Sequence, residues 1–290
     1  MTQGFVHPEF LVETGWLAEH LEDPGVRVFD CTTHLPPLPD NSYYTVKPGI
    51  EDFLAAHVPG STFVDMDCDV ADTSAAVHFM LPSAAKFSDF MSASGVDRDT
   101  LVVSYSSANH WWASRMWWML RVFGHDRAAV LDGGFQKWRA EGRPIETGPA
   151  RSVAPKKFPQ LPPRREMVAT KEDVLGAIGS SEICTINALR PEQHAGTGGV
   201  YYGRRGHVKG SINVAAVATV DENNTYKSAD ELRRLFAEPL SRQAVIAYCG
   251  GGIAATADAL VLAMLGYENV RVYDASLSEW ASDPAMPMET

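Results

Sequence analysis

One cysteine in this chain stands in a setting that could make it a nucleophile. Cys249 ends a short apolar, β-prone run (residues 245–248) and is followed by three glycines and an Ala-rich segment with the composition of a helix. Glycines let the backbone curl so that successive N–H groups attract an anion, and a helix N-terminus adds positive potential at the same place. A thiol held there ionises easily. We therefore predict that Cys249 is an activated nucleophile rather than a packed structural cysteine.

The composition restricts the class of protein around this cysteine. The 290 residues are 45% hydrophobic and 21% charged, which suits one large globular domain or two ordinary ones. A net charge of −11 argues against a general nucleic-acid or anionic-membrane surface. Four irregularly spaced cysteines with no CxxC pair predict no metal site and no disulfide framework, and they favour a reducing compartment. Residues 1–10 lack a secretory pattern, and no apolar run is long enough to span a membrane, so we expect a cytoplasmic protein.

Strands and helices alternate along the first half of the chain. This alternation predicts α/β layers around a largely parallel sheet, and residues 33–50, rich in Pro and Tyr, form an excursion from it. The predicted strands are residues 26–30, 101–105 and 128–131, and the predicted helices are residues 14–21, 87–95, 111–123 and 135–141. We assign helix 111–123 to the packed core.

The chain then changes character and repeats itself. Six prolines within residues 144–163 predict an extended linker, so we expect one domain over residues 1–143, a linker over 144–165 and a second domain over 166–290. In the second domain a helix (171–178) and a strand (183–187) come first. Three further segments then repeat first-half segments in the same order, namely residues 207–212 (57–62), 244–248 (101–105) and 272–280 (130–138). A tandem duplication follows, and it sets Cys249 opposite Ser106.

The repeated pieces carry recognisable motifs. They are residues 80–83 (MLPS), 117–125 (WWMLRVFGH), 130–135 with Trp138, 206–214 (GHVKGSINV) and 248–253 (YCGGGI). With them the chain resembles the tandem-domain rhodanese sulfurtransferases, which act on thiosulfate or 3-mercaptopyruvate, over nearly its full length. The resemblance implies two rhodanese-like domains, each a mostly parallel sheet flanked by helices. It also implies that the first domain is catalytically silent, with Ser106 where the active copy has its cysteine.

The resemblance further implies a persulfide mechanism at Cys249. The thiolate would take the outer sulfur of a small anionic donor and pass it to a thiol, cyanide or another acceptor, with no metal or organic cofactor. Backbone amides of the loop would stabilise the anionic persulfide. The loop residues are Gly250, Gly251, Gly252, Ile253 and Ala254.

Several positions depart from the family pattern. Gly250 replaces the basic residue that follows the cysteine in thiosulfate-type enzymes, and Gly251 replaces the Ser or Thr that assists proton transfer in the mercaptopyruvate type. Leu189 and Gln193 stand where the family tends to carry donor-binding arginines, and Asn187 replaces a common Asp. The donor could therefore be neither of the two usual ones.

Other basic residues could restore the missing charge. Arg190 and Arg205 are the candidates for binding the donor, and Arg204 or Lys209 could also contribute, although each could equally be a solvated surface charge. Bidentate carboxylate binding would favour arginine over lysine. His78 could face the cleft between the domains, or it could be a packed or capping residue. The sequence gives no sign of the oligomeric state.

Three alternative functions stay open at this point. A dual-specificity phosphatase of the same fold needs an arginine six or seven positions after the cysteine, where this chain has Ala255 and Thr256. A non-catalytic binding or regulatory module would explain the missing arginines but not the retained Cys249 loop. A persulfide enzyme with an unusual donor in a specialised sulfur pathway would explain both.

Overall fold

The computed structural model describes residues 4–290 as two α/β halves; residues 1–3, where the predicted first domain begins, lie outside the described residues. In the first half, five strands form a parallel sheet in the order β1-β7-β6-β2-β5, and β3 pairs with β4 as a short antiparallel hairpin. The strands are β1 (Leu11–Val12), β2 (Val26–Asp30), β3 (Thr33–His34), β4 (Lys47–Pro48), β5 (Thr62–Phe63), β6 (Leu101–Tyr105) and β7 (Ala128–Leu131).

Helices cover both faces of this sheet. Its middle strands are buried almost throughout, which explains why their sequences are continuous apolar runs rather than alternating ones. The helices are α1 (Thr14–Glu19), α2 (Ile50–Ala55), α3 (Ala84–Ala93), α4 (Trp111–Val122) and α5 (Gly134–Ala140), with a 3₁₀ turn at Pro8–Phe10.

The second half repeats the same topology. Its parallel sheet has the order β8-β13-β12-β9-β11, which matches the first sheet strand for strand. The strands are β8 (Val168–Ala169), β9 (Ile183–Asn187), β10 (His207–Val208), β11 (Ile212–Asn213), β12 (Ala244–Tyr248), β13 (Val270–Tyr273) and β14 (Met288–Glu289), and β10 pairs with β14 outside the sheet. The helices are α6 (Lys171–Ala177), α7 (Pro191–His194), α8 (Ala229–Leu235), α9 (Ala237–Leu240), α10 (Ala255–Met264) and α11 (Ser276–Trp280), with 3₁₀ turns at Arg165–Met167 and Ala216–Ala218. The predicted α/β fold and the duplication are confirmed.

The strands predicted from the sequence have the observed bounds, whereas the helix ends differ by up to three residues. The predicted excursion at 33–50 contains the β3–β4 hairpin and carries Tyr43 and Tyr44 toward the second half. Between α5 and the 3₁₀ turn at Arg165–Met167 the described chain forms no helix or strand. This segment nevertheless packs on α3, since the carbonyl oxygen of Phe158 accepts a hydrogen bond from Ser88 (3.1 Å). The exact domain bounds stay a prediction.

The two halves meet through equivalent helices. Helix α4 of the first half packs against α10 of the second, and both are buried along nearly their whole length. Each of these helices follows the loop at the end of the middle strand of its sheet, so the interface brings the two loop regions into one packed unit. No helix within residues 4–290 is long and apolar enough to cross a membrane.

Candidate active site around Cys249

Cys249 lies at the carboxyl end of β12, the edge at which open parallel sheets bind ligands. The residue is 2% exposed. The backbone N–H of Leu277 donates to the carbonyl oxygen of Cys249 (3.1 Å), and the N–H of Ser278 donates to that of Gly250 (2.8 Å). The loop is therefore fixed to α11 as well as to the strand.

Ser276 ties the two ends of the loop together. Its hydroxyl oxygen accepts hydrogen bonds from the N–H groups of Cys249 (3.0 Å) and Gly252 (3.1 Å) and donates to the carbonyl oxygen of Tyr273 (2.7 Å). Ser276 has φ +50°, a strained conformation for a residue with a side chain. The Gly252 amide, which the sequence assigned to anion binding, is thus occupied by Ser276. That part of the prediction needs correction.

Four backbone amides of the loop are left without an acceptor among residues 4–290. They belong to Gly250, Gly251, Ile253 and Ala254, the residues between Cys249 and the start of α10. Unpaired N–H groups beside a helix N-terminus favour negative charge. Their arrangement is suited to an anionic sulfur attached to Cys249.

Close packing explains why this loop contains three glycines. A Cβ at Gly250 would overlap the ring of Tyr202, and one at Gly251 would lie 3.1 Å from the hydroxyl oxygen of Tyr44. Gly252 has φ +76°, and a Cβ there would overlap the carbonyl oxygen of Asp274. A side chain at any of these positions would displace part of the site.

A cavity of about 160 Å³ opens beside Cys249. Both halves of the chain contribute to its wall, and the wall is mainly aromatic and aliphatic. The lining residues besides the loop are Leu35, Tyr44, Trp111, Ala188, Leu189, Arg190, Gln193, Val200, Tyr202 and Val217. Arg190 is the only basic residue among them, so a ligand entering the cavity meets one cation and a largely apolar surface.

The structure brings one of the two predicted donor-binding arginines to the cavity. The exposed Arg190 follows β9 and lines the cavity together with Gln193. Arg205 does not reach it, because its guanidinium lies over the ring of Tyr201 (4.2 Å), outside the cavity wall. We therefore correct the prediction that Arg205 binds the donor.

The remaining charged candidates have other surroundings. Arg204 is used structurally, since its guanidinium donates to four backbone carbonyl oxygens within residues 280–286. Lys209 is exposed and lies outside the cavity wall. His78 pairs with Asp67 (2.8 Å), and its ring lies 6.5 Å from the ring of Tyr44. Of these three, His78 is the one that approaches the site.

Two tyrosines, Tyr44 and Tyr202, lie beside Cys249, and no sequence motif identified them as part of the site. Burial raises the pKa of the Tyr44 and Tyr202 hydroxyls, and the negative charge of the neighbouring Cys249 thiolate raises both further. Tyr44 comes from the first half of the chain, and Trp111, which the sequence assigned to the core, is a half-buried part of the cavity wall. The Tyr content of residues 33–50 was a signal, but nothing local in the sequence says which loop these rings cover.

An ion pair between the halves supports the loop from behind. Arg115 on α4 is 1% exposed and donates to a carboxylate oxygen of Asp274 (2.6 Å). The same guanidinium donates to the carbonyl oxygens of Gly252 (3.3 Å) and Phe79. The second carboxylate oxygen of Asp274 accepts from the N–H of Leu81 (2.9 Å). The first half of the chain thus fixes the last glycine of the Cys249 loop.

Comparison with known proteins places this arrangement among its relatives. A family model for the rhodanese-like domain matches residues 13–141 and 186–283. The thiosulfate sulfurtransferase of Cricetulus griseus is 34% identical over 282 residues, covering 93% of this chain and 91% of the relative. The 3-mercaptopyruvate sulfurtransferase of Rattus norvegicus is 32% identical over 284 residues with the same coverage. The crystal structure of the 3-mercaptopyruvate sulfotransferase SseA from Escherichia coli superposes with a TM-score of 0.80 at 30% identity, covering 93% of this chain and 99% of that one.

Proposed function

This chain belongs to the rhodanese family and is a sulfurtransferase with two rhodanese-like domains, and from that premise we propose that Cys249 carries the transferred sulfur. The proposed donors are thiosulfate and 3-mercaptopyruvate, and the proposed acceptors are thiols or cyanide. The observation that supports this assignment is the thiol of Cys249 at a cavity, beside four backbone amides that lack an acceptor among the described residues.

The first step is a displacement at sulfur. The Cys249 thiolate attacks the outer sulfur of thiosulfate, the sulfur–sulfur bond of the donor breaks, and sulfite leaves with the electron pair. The enzyme is left with Cys249–S–S⁻. Amides aimed at a charge that develops during reaction stabilise the transition state and not only the product. The amides of Gly250, Gly251, Ile253 and Ala254 would perform this role for the terminal sulfur.

The second step regenerates the Cys249 thiolate. Cyanide attacks the terminal sulfur, thiocyanate leaves, and the electron pair of the broken sulfur–sulfur bond returns to Cys249. A thiol acceptor would take the same sulfur to become a persulfide. No metal or organic cofactor takes part in either step. A cytoplasmic location remains part of the proposal, because the four cysteines are unpaired and suit a reducing compartment.

Arg190 would attract the anionic donor. It is the one basic residue of the cavity wall, and its exposed side chain can meet an anion that enters from solvent. A single arginine can bind a carboxylate through two parallel hydrogen bonds. Sulfonate and carboxylate donors are therefore both compatible with this cavity.

The test of the proposed function is the formation of thiocyanate from cyanide with each donor in turn. The wild-type protein should turn over, whereas Cys249→Ser should lose all activity. Cys68→Ser is the matched control, since Cys68 is an exposed thiol that is not part of the cavity wall, and this variant should keep full activity. Loss of activity in the Cys68 variant, or its survival in the Cys249 variant, would contradict the assignment.

A second pair of variants tests the donor-binding residue. Arg190→Gln should raise KM for the donor about tenfold with a small change in kcat, because it removes a charge that binds substrate and transition state alike. Arg205→Gln, which changes an arginine outside the cavity, should leave KM unchanged. Equal effects in both variants would return Arg190 to the role of a surface charge.

A further inference from the structure

The Cys249 loop has no hydroxyl of its own. The residues that follow the cysteine are three glycines, isoleucine and alanine, none of which can donate a proton from its side chain. The hydroxyl of Tyr44 lies in the space that a side chain at Gly251 would enter, since a Cβ built there comes within 3.1 Å of the phenolic oxygen. A residue of the first half thus places an O–H group within the catalytic loop of the second.

The Tyr44 hydroxyl is oriented by a chain of hydroxyls. Tyr43 donates to the oxygen of Tyr44 (3.3 Å), and the Tyr43 hydroxyl also lies 3.0 Å from the hydroxyl of Ser278. The rings of Tyr43 and Tyr44 are stacked at 4.3 Å, which holds the pair together. Because the Tyr44 oxygen accepts from Tyr43, its own proton is free to point elsewhere. Ser278 connects this chain to the loop, since its N–H donates to the carbonyl oxygen of Gly250 (2.8 Å).

Tyr44 is 6% exposed and forms part of the cavity wall next to Cys249. Burial, and to a smaller extent the neighbouring tyrosines and Cys249, raise the pKa of its hydroxyl, so Tyr44 keeps its proton at neutral pH. Tyr202 also lies beside Cys249, but its ring covers Gly250, and no described residue donates a hydrogen bond to its hydroxyl. Of the two phenols, Tyr44 is the one whose proton is directed by a partner.

We propose that Tyr44 is the catalytic residue that protonates the carbon leaving group when 3-mercaptopyruvate is the donor. The inference rests on the proposed function of Cys249. The Cys249 thiolate attacks the sulfur of the mercaptopyruvate thiol, the sulfur–carbon bond breaks, and its electron pair passes to carbon as the enolate of pyruvate. Tyr44 gives its proton to that carbon, and the resulting phenolate takes the proton of the new Cys249–S–SH. Pyruvate and Cys249–S–S⁻ are the products, and Tyr44 is restored.

The two donors differ in their need for this proton. Sulfite leaves thiosulfate as a stable anion, so transfer from thiosulfate needs no general acid, whereas the pyruvate enolate must be protonated. General acid catalysis contributes roughly 100-fold or more to a rate. Removal of the Tyr44 hydroxyl should therefore affect the two donors unequally, whereas a structural role would affect them equally.

The experiment measures persulfide formation by Tyr44→Phe with each donor in single-turnover reactions. The rate with 3-mercaptopyruvate, divided by the rate with thiosulfate, should fall about 100-fold relative to wild type. Tyr201→Phe, which changes a tyrosine outside the cavity wall, is the matched control and should leave the ratio unchanged. If Tyr44→Phe fails to fold, judged by circular dichroism, Tyr43→Phe removes only the hydroxyl that orients Tyr44 and should lower the same ratio.

Three results would overturn the proposal while leaving the function of Cys249 intact. They are an unchanged donor ratio in Tyr44→Phe, a selective loss in Tyr202→Phe instead, and a wild-type enzyme that uses thiosulfate but never 3-mercaptopyruvate. Failure of the wild-type protein to form a persulfide with either donor would instead contradict the proposed function itself.

Discussion

In each half of this chain a loop follows the middle strand of the sheet. The two loops are equivalent in the duplication, but their backbone N–H groups differ in their hydrogen-bond partners. In the first half, the N–H of Ser107 donates to the hydroxyl of Thr32 (2.8 Å), and the N–H of Ala108 donates to the hydroxyl of Ser106 (3.0 Å). The side-chain amide of Gln136 donates to two carbonyl oxygens of the same loop (2.9 and 2.8 Å). Side chains of the first half thus occupy the amides of Ser107 and Ala108, whereas the equivalent amides of Gly250 and Gly251 have no acceptor among the described residues.

One pair of equivalent positions in the two halves has the same backbone conformation but a different residue. Gly134 and Ser276 are equivalent in the duplication, and both have a left-handed backbone, with φ +56° and +50°. In the first half the residue is glycine, for which this conformation is not strained. In the second half it is serine, and its hydroxyl holds the amides of Cys249 and Gly252. At this equivalent position, the strained residue is therefore the one whose hydroxyl shapes the catalytic loop.

The two loops should differ most in how activity responds to a substitution at the position of Gly252, the last of the three glycines. Gly252→Ala forces a Cβ against the carbonyl oxygen of Asp274 at a position with φ +76°, so the loop must move. A displacement of about 1 Å can lower a catalytic rate about 100-fold, and we expect at least that loss in thiocyanate formation. Asn109→Ala, the equivalent exposed position of the first loop, should keep full activity. Comparable losses in both variants would mean that the first loop is not silent.

The buried ion pair between the halves gives the next largest effect. Arg115→Met leaves the carboxylate of Asp274 buried without its cationic partner, and breaking a buried pair in this way costs about 3–5 kcal/mol. The free energy of unfolding, measured with a chemical denaturant, should fall by that amount. The exposed Arg98→Met should change it by less than about 0.5 kcal/mol. A loss below about 1 kcal/mol for Arg115→Met would show that the pair adds little to the interface.

The equivalence of Ser276 and Gly134 gives a smaller effect on activity. Ser276→Gly relieves the backbone strain but removes the acceptor of two loop amides, so kcat should fall about tenfold, equivalent to about 1.4 kcal/mol, with little loss of stability. The reverse change, Gly134→Ser, places a Cβ 2.8 Å from the carbonyl oxygen of Ser106 and should destabilise the first half without changing kcat. An unchanged kcat in Ser276→Gly would mean that the hydroxyl does not shape the site.

An effect that depends on pH concerns the residue equivalent to Arg115. Asp258 lies nine positions after Cys249, as Arg115 lies nine after Ser106, but neither of its carboxylate oxygens has a partner among the described residues. Burial raises the pKa of Asp258 well above its usual value of 3.8. At a pH below 3.8, Asp258 is protonated in both the folded and the unfolded chain. As the pH rises above it the unfolded chain loses the proton first, so the free energy of unfolding decreases.

Asp258→Asn should remove this dependence on pH. The free energy of unfolding of the variant, minus that of the wild type, should increase by up to about 1.4 kcal/mol for each pH unit above 4, until the folded carboxyl ionises. Chemical denaturation at several pH values between 4 and 7 measures it. A difference that does not change with pH would show that Asp258 is ionised in the folded protein at low pH, as an ion-paired residue would be.

The parts of the site that are adjacent in sequence can be predicted from the sequence, whereas the parts that tertiary packing brings together cannot. The strand, Cys249 and the three glycines are adjacent in sequence, and the local pattern predicts both the loop and its nucleophile. The duplicated segments predict the fold because the same order of strands recurs. Tyr44 and Arg115, in contrast, reach the site through packing of α4 and the β3–β4 hairpin across the interface.

Arg190 and Arg205 show the same limit at shorter range. The two arginines have equal charge and lie only 15 residues apart in sequence, yet one lines the cavity and the other lies on a tyrosine ring outside it. Gly252 is a second example, since only the contact with Ser276 shows that its amide is occupied. Side-chain direction and backbone partners decide these cases, and neither is encoded in a local pattern.

The most direct measurement of the difference between the loops is the mass of the protein after reaction with a sulfur donor. Wild-type protein and Ser106→Cys should be incubated with thiosulfate and with 3-mercaptopyruvate, and their peptides should be mapped by mass spectrometry. We predict a gain of one sulfur atom on the peptide that contains Cys249 in both proteins, and none on the cysteine introduced in the first loop. Sulfur on the introduced cysteine, or no sulfur on Cys249 with either donor, would contradict the account.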